Sequence, residues 1–296
     1  MEIKTIPLSG QARLRAYVPN AEIGYRLPRK RPGIILAPGG AYLIHATREK
    51  EGAALEFLAK GYNVFLLEYS LGFSSREVKE GGAQALDSAA RYPLPVLEMM
   101  EAIHYVKEHR EDLNLDASRL FLMGFSAGAH VCASCGVFWD SPHLTRQLSF
   151  TPAAEELRAT GMVLCYPLLN PTPERTVEIN DPAAPDTKFV REFLFQTQAP
   201  SREQRNAVDL AKQVTPAAIP AFLWHSADDP VVSAVDSTRF VLAMQRSGVN
   251  CEYHLFESGG HGLALANVVY AHGPEDVRPD IAVWTGLAHR WMTKQK

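Results

Sequence analysis

The residues best suited to chemistry stand in the segment Gly124-Phe-Ser-Ala-Gly128, directly after the apolar run Leu120–Met123. A buried strand, a sharp turn with serine at its apex and then a helix is the layout of a nucleophile elbow. The turn is strained, and Gly124 and Gly128 remove side chains that would collide with neighbouring backbone. Ser126 would then stand at a helix N-terminus, where the dipole favours developing negative charge. The pattern also arises by chance, so other residues must support it.

A serine nucleophile needs a general base and a third group that orients the base. With an elbow of this kind the partners follow in the order serine, acid, histidine. Asp228 and Asp229 come after the apolar run Ala221–His225, and His261 stands between glycines after the run Cys251–Phe256. We predict that His261 is the base. We prefer Asp229 as the acid because it opens a D-x-x-V layout, which leaves Asp228 as a loop-structuring or exposed carboxylate.

The tetrahedral oxyanion of acyl transfer needs backbone N–H donors that are already in place. The segment Ala37-Pro-Gly-Gly-Ala-Tyr42 ends the first buried strand, where such a loop belongs. We predict that the amides of Gly40 and Ala41, with that of Ala127 after the nucleophile, form the oxyanion hole. Tyr42 and His45 are candidate substrate contacts, although an aromatic residue after a strand is as often simple packing.

We expect structural roles for two further histidines and for the cysteines. His130 lies four residues past Ser126, so the elbow helix would carry it away from the hydroxyl, and we expect it to pack. His225 precedes the acid loop and is also expected to be structural. Cys132 and Cys135 form a C-x-x-C pair inside the predicted helix, with no second pair to supply zinc ligands. We therefore expect buried, reduced thiols and neither a metal nor an organic cofactor.

Composition limits the classes of partner. The chain has 296 residues, 46% of them hydrophobic, and a net charge of −3, so it carries no nucleic-acid or membrane signature. The basic run Arg29–Arg31 lies between prolines and is predicted to be a solvated loop. The opening residues are too polar for a secretion signal, and we expect a cytoplasmic protein.

Strand-like and helix-like segments alternate along the chain. Strands are predicted at 14–18, 33–38, 63–69, 119–123, 162–166, 221–225 and 251–256, and helices at 48–60, 95–110, 235–246 and 278–292. Such alternation implies an α/β domain with a mostly parallel central sheet, helices on both faces, and a site at the carboxyl ends of the strands. We predict one domain over 1–296, with a small cap insertion at 170–215 that contains a short helix at 189–195.

These features together resemble the α/β-hydrolase superfamily over about residues 30 to 292. The resemblance is to its short-chain carboxylesterase and acetylesterase branch, which is hormone-sensitive-lipase-like and feruloyl/acetylxylan-esterase-like. It is carried by Pro38-Gly-Gly-Ala-Tyr42, Gly124-Phe-Ser-Ala-Gly128, Tyr166-Pro167, Phe222-Leu-Trp-His-Ser-Ala-Asp-Asp229 and His254-Leu-Phe-Glu-Ser-Gly-Gly-His-Gly262. Three positions depart from the usual pattern: Pro38 replaces a histidine, Ala41 a glycine and Ser233 a proline.

The resemblance implies a serine hydrolase that removes short acyl groups, acetyl above all, from a small ester substrate such as an acetylated oligosaccharide. An amide or formamide hydrolase with the same triad is the nearest alternative, and a catalytically silent binding protein is another. A nucleotide-binding module lacks support, because no G-x-G-x-x-G follows an early strand. The sequence leaves the oligomeric state open.

Overall fold

One sheet of eight strands organises the part of the chain that the computed structural model describes, which is residues 1–19, 30–73, 86, 87, 89–171 and 187–295. The strands are β1 (Glu2–Pro7), β2 (Arg13–Val18), β3 (Arg31–Ala37), β4 (Asn63–Glu68), β5 (Leu115–Phe125), β6 (Gly161–Cys165), β7 (Ala221–Ser226) and β8 (Cys251–Phe256). Their order across the sheet is β1-β2-β4-β3-β5-β6-β7-β8. Strands β3 to β8 run parallel, whereas β1 and β2 pair antiparallel at one edge. The predicted α/β-hydrolase architecture with a mostly parallel sheet is confirmed.

Helices cover both faces of this sheet. In the described residues they are α1 (Glu51–Ala59), α2 (Leu94–Glu108), α3 (Ser126–Phe138), α4 (Pro142–Thr145), α5 (Thr187–Phe195), α6 (Arg202–Val208), α7 (Ala234–Arg246), α8 (Pro279–Ala282) and α9 (Trp284–Lys294). Side chains alternate along each strand, so Ile35 and Leu122 pack with α2, α3 and α7, whereas Ile34 and Phe121 pack with α1 and α9. The inner strands of the sheet are therefore buried on both faces, as their continuous apolar sequences require.

The structure differs from the predicted elements at β1, β5 and the terminal helix, and it adds the short helices α4 and α6. The first strand, β1, was not predicted. It forms a hairpin with β2 at the edge of the sheet, where a strand needs few apolar residues because one of its faces can stay exposed. The terminal helix is divided at Val283 into α8 and α9. Strand β5 begins at Leu115, earlier than predicted, with an irregular register between Pro32 and Gly33 of its neighbour.

The predicted cap, residues 170–215, contains α5 and α6, so the short helix predicted at 189–195 is confirmed. Residues 172–186 of this segment lie outside the described residues, as do Arg29 of the basic run and residues 74–85 and 88. The parallel strands β3, β5, β6, β7 and β8 all end at one edge of the sheet. The loops after them therefore meet, and four of these loops carry the predicted site residues.

Candidate active site

Ser126 stands at the turn between β5 and α3 with a φ of +48°, a left-handed conformation that is strained for serine. Neighbouring glycines allow the turn to pack closely. A Cβ on Gly128 would lie 2.2 Å from the carbonyl oxygen of Ala37, and one on Gly124 would lie 2.4 Å from that of Gly128. The backbone at this turn thus has the strain and the close approach that the sequence pattern predicts for an elbow.

The structure brings Ser126, His261 and Asp229 into one line of hydrogen bonds. His261 Nε2 lies 3.0 Å from Ser126 Oγ, and His261 Nδ1 lies 2.7 Å from Asp229 Oδ2. The Asp229 side chain has no solvent exposure, whereas that of His261 is 16% exposed. A base that touches both a hydroxyl and a buried carboxylate can take the hydroxyl proton while the carboxylate stabilises the imidazolium.

Asp229 is held as an ionised acceptor. Its Oδ1 accepts hydrogen bonds from the backbone N–H groups of Val231 at 2.8 Å and Val232 at 2.9 Å. Burial by itself would raise the pKa of this carboxyl, but the hydrogen bonds from His225 and His261 outweigh burial and hold the pKa of Asp229 well below its usual range. The carboxylate is therefore charged wherever the imidazole can act as a base.

Asp228 turns the other way and is exposed. Its Oδ1 accepts hydrogen bonds from the backbone N–H groups of Gly259 at 2.8 Å and Gly260 at 2.9 Å, directly before His261. Asp228 thus connects its own loop to the loop of His261, while its neighbour Asp229 contacts the imidazole. This is the division of roles that the sequence favours for the two aspartates.

His225 contacts Asp229, a contact that was not predicted from the sequence. Its Nε2 lies 3.0 Å from Asp229 Oδ2 and 3.1 Å from the carbonyl oxygen of Val232. Because both neighbours are acceptors, Nε2 carries the proton, and Nδ1 accepts from the hydroxyl of Ser237 at 2.8 Å. A histidine four residues before an acid, at the end of a buried strand, was the available signal.

The loop after β3 presents backbone amides beside the serine. Gly40, Ala41 and Tyr42 have φ values of +117°, +57° and +67°, so three consecutive residues of this loop have a left-handed backbone. In the described part of the chain no group accepts a hydrogen bond from the backbone N–H of Gly40 or Ala41. Ala127 lies in the first turn of α3, where amides lack intrahelical partners. These are the three amides that the sequence predicts as oxyanion donors.

Tyr42 and His45, the two candidate substrate contacts, differ in exposure, since Tyr42 is buried and His45 is half-buried. Tyr42 is completely buried; its hydroxyl lies 2.5 Å from His130 Nδ1, and its ring stacks on Phe193 of α5 with centroids 5.0 Å apart. The ring therefore packs in the core and joins the loop to α3 and α5. His45 packs edge-on against Tyr69, and burial lowers its pKa to about 4, so it is neutral at pH 7. His130 packs, as expected.

Other expectations of the sequence concern thiols, metals and membranes. All four cysteines are free, and Cys132, Cys135 and Cys165 are buried. Among the described residues no three histidine, cysteine or acidic side chains form a group that could hold a metal ion. None of the helices that the structure describes is both long and apolar enough to cross a bilayer.

Residues 26–244 match the model of the BD-FAE family, a match that includes Ser126 and Asp229 and ends before His261. The chain belongs to the BD-FAE family. This membership and the solved neighbours confirm the resemblance to the carboxylesterase branch of the α/β hydrolases. They likewise support the predicted class of enzyme, a serine hydrolase of carboxylic esters.

The solved structures similar to this chain include a carboxylesterase that aligns over nearly its whole length. The carboxylesterase Cest-2923 from Lactobacillus plantarum WCFS1 is 26% identical, with a TM-score of 0.80, and the alignment covers 99% of this chain and 98% of that one. An endo-1,4-beta-xylanase B from Butyrivibrio fibrisolvens is 28% identical over 88% of this chain and 36% of its own length. An acetylxylan esterase from Xylanibacter ruminicola is 22% identical over 93% of this chain and 48% of its own. The chain thus spans about a third to a half of these two curated relatives.

Proposed function

We propose that this BD-FAE-family chain hydrolyses short-chain carboxylic esters through Ser126, His261 and Asp229. The observation that carries the proposal is the position of His261, whose two ring nitrogens lie 3.0 Å from Ser126 Oγ and 2.7 Å from Asp229 Oδ2. An imidazole in this position can accept the proton of the nucleophile and then donate it to the leaving group without moving far. Buried Asp229 keeps the required tautomer, with the proton on Nδ1.

The reaction then follows in two halves. Ser126 Oγ attacks the acyl carbon while its proton passes to His261 Nε2, and the amides of Gly40, Ala41 and Ala127 stabilise the oxyanion. The C–O bond of the ester breaks, the alcohol leaves with the proton from His261, and the acyl group stays on Ser126. Water next gives a proton to His261 and attacks the acyl carbon, which releases the acid and restores Ser126.

For the substrate we propose acetyl groups on oligosaccharides. The support comes from relatives, since one is named an acetylxylan esterase and another an endo-1,4-beta-xylanase. Both align with most of this chain, although it spans half or less of their own length. The predicted cap, residues 170–215, is the segment that we expect to discriminate among substrates. The cytoplasmic location and the lack of a cofactor stay predictions.

Turnover of p-nitrophenyl acetate by the wild type and by S126A tests the proposal. We expect hydrolysis by the wild type, loss of activity in S126A, and labelling of Ser126 alone by a fluorophosphonate. Undiminished turnover in S126A would refute the assignment of the nucleophile. A folded wild type without labelling would favour a silent binding protein, and faster turnover of an N-formyl amide than of the acetyl ester would favour the amidase alternative.

A further inference from the structure

A buried glutamate lies behind the oxyanion loop. Glu49 is the last residue of a short 3-10 helix, Thr47–Glu49, and only 3% of its surface is exposed. Its Oε2 accepts a hydrogen bond from the backbone N–H of Gly39 at 2.7 Å. A Cβ on Gly39 would lie 2.8 Å from that oxygen and 2.9 Å from Ser126 Cβ, so this loop passes between the carboxyl and the nucleophile. The amide of Gly39 is thereby committed to Glu49.

The other oxygen of Glu49 reaches the loop that carries His261. Glu49 Oε1 accepts a hydrogen bond from the hydroxyl of Tyr166 at 2.7 Å, and the Tyr166 oxygen accepts from the backbone N–H of Ala264 at 3.0 Å. Tyr166 also packs edge-on against the imidazole of His261, with ring centroids 4.9 Å apart. One carboxyl group therefore connects the predicted oxyanion loop with the loop of the predicted base.

Both contacts of this carboxyl are donors, which is the pattern that an ionised glutamate satisfies. Burial raises the pKa of Glu49, while the hydrogen bonds from Tyr166 and Gly39 and the nearby His261 oppose that shift. A buried charge is costly to maintain, and an apolar residue of similar volume would often serve stability as well or better. Packing alone therefore does not explain why a charged residue lies between the predicted oxyanion loop and the loop of His261.

We infer that Glu49 is a positioning residue for the proposed hydrolysis: it fixes the oxyanion loop through Gly39 and the base loop through Tyr166 and Ala264. The inference rests on the proposed function. Gly40 and Ala41 follow Gly39 directly, so a displaced Gly39 would move the amides that meet the oxyanion. The negative charge of Glu49 also favours the imidazolium form that His261 takes during each half-reaction.

The chain offers a matched control for this test in Glu98. Glu98 has no solvent exposure and accepts hydrogen bonds from the backbone N–H and the hydroxyl of a single residue, Ser70. It therefore shares burial and bond types with Glu49 but contacts neither Gly39 nor Tyr166. E49Q and E98Q each replace a buried carboxylate by an amide of the same shape.

The experiment compares wild type, E49Q, E98Q and Y166F on p-nitrophenyl acetate from pH 5 to 9, with circular dichroism to establish the folded fraction. We expect E49Q to lower kcat by about 10- to 100-fold with KM almost unchanged, because a displaced donor acts on the transition state. The acid limb of its kcat/KM profile should move to lower pH, since a charge that favours imidazolium is gone. Y166F should lower kcat in the same direction, and E98Q should keep the wild-type kcat.

The outcomes separate this inference from the proposed function. A wild type that neither turns over the ester nor reacts with fluorophosphonate would refute the proposed function itself. With an active wild type, a folded E49Q of unchanged kcat and pH profile would overturn the role of Glu49. Equal losses of kcat in E49Q and E98Q would also overturn it, because the loss would then follow from changing any buried carboxyl group. If E49Q does not fold, Y166F decides by its kcat, because it removes the contact between Glu49 and the base loop.

Discussion

Asp229 Oδ2 accepts a hydrogen bond from His225 Nε2 at 3.0 Å, and the same oxygen accepts from the predicted base at 2.7 Å. His225 is completely buried, and its ring is fixed at the other end by Ser237. The imidazole of His225 therefore holds the carboxylate in one orientation, with Oδ2 directed at His261. Two histidines share one oxygen of Asp229, and of these two only His261 also contacts Ser126 Oγ.

Substitutions at His225 should separate hydrogen bonding from bulk. The side-chain amide of H225Q can donate near the position of Nε2, so we expect kcat within about 5-fold of wild type. H225L fills the volume but leaves Asp229 and Ser237 without this partner, and we expect kcat at least about 10-fold lower, with a loss of about 1–3 kcal/mol in stability. Ester turnover and urea unfolding measure the two effects. Equal kcat values in H225Q and H225L would contradict an orienting role.

The two adjacent aspartates give a second comparison. D229N removes the carboxylate that orients His261, and we expect kcat to fall by about 10³- to 10⁴-fold, because an amide favours the wrong tautomer. D228N keeps an oxygen that can accept from Gly259 and Gly260, so its loss should stay below about 10-fold. Steady-state turnover of p-nitrophenyl acetate decides. A larger loss in D228N than in D229N would reverse the assignment of the acid.

Much of this arrangement could be predicted because it depends on local rules. The elbow needs glycines at two fixed positions, and buried parallel strands appear as continuous apolar runs. Strand ends then determine that Ser126, Asp229 and His261 lie at the same edge of the sheet. The structure adds the distances, and the choice between Asp228 and Asp229 as the contact of His261 follows from them.

The residues that the sequence did not reveal act through long-range contacts. Glu49 resembles any acidic residue near a helix start, and its importance appears only once Tyr166, far along the chain, is seen to donate to it. Tyr42 is a candidate substrate contact because it follows the predicted oxyanion loop, and simple packing is the alternative that the sequence leaves open. In the structure its ring lies in the core, where it contacts His130 and Phe193. Such side-chain directions depend on tertiary packing rather than on spacing.

Glycine substitutions test the packing of the elbow. In G128A the new methyl group would lie 2.2 Å from the carbonyl oxygen of Ala37 and 2.4 Å from that of Pro38, which are backbone atoms that cannot yield without moving β3. We expect loss of ester turnover and a destabilisation of about 3 kcal/mol or more. Its control is G286A, on the exposed side of α9, where a Cβ meets nothing within 4 Å. That variant should gain up to about 1 kcal/mol. Thermal unfolding that ranks G128A at or above G286A would contradict the packing described for the elbow.

Glu98 should make stability depend on pH. Burial raises its pKa to about 7, against the hydrogen bonds from Ser70, so the folded chain binds this proton more tightly than the unfolded chain does. The stabilisation is complete below the unfolded pKa of about 4 and is lost as pH rises through 7. Its full size is on the order of 3 kcal/mol. Urea unfolding of the wild type and E98Q at pH 5 and pH 8 isolates the contribution, because E98Q has no titrating group at this position. The drop in stability between the two pH values should be larger in the wild type, and an equal drop in both would show that Glu98 does not titrate in this range.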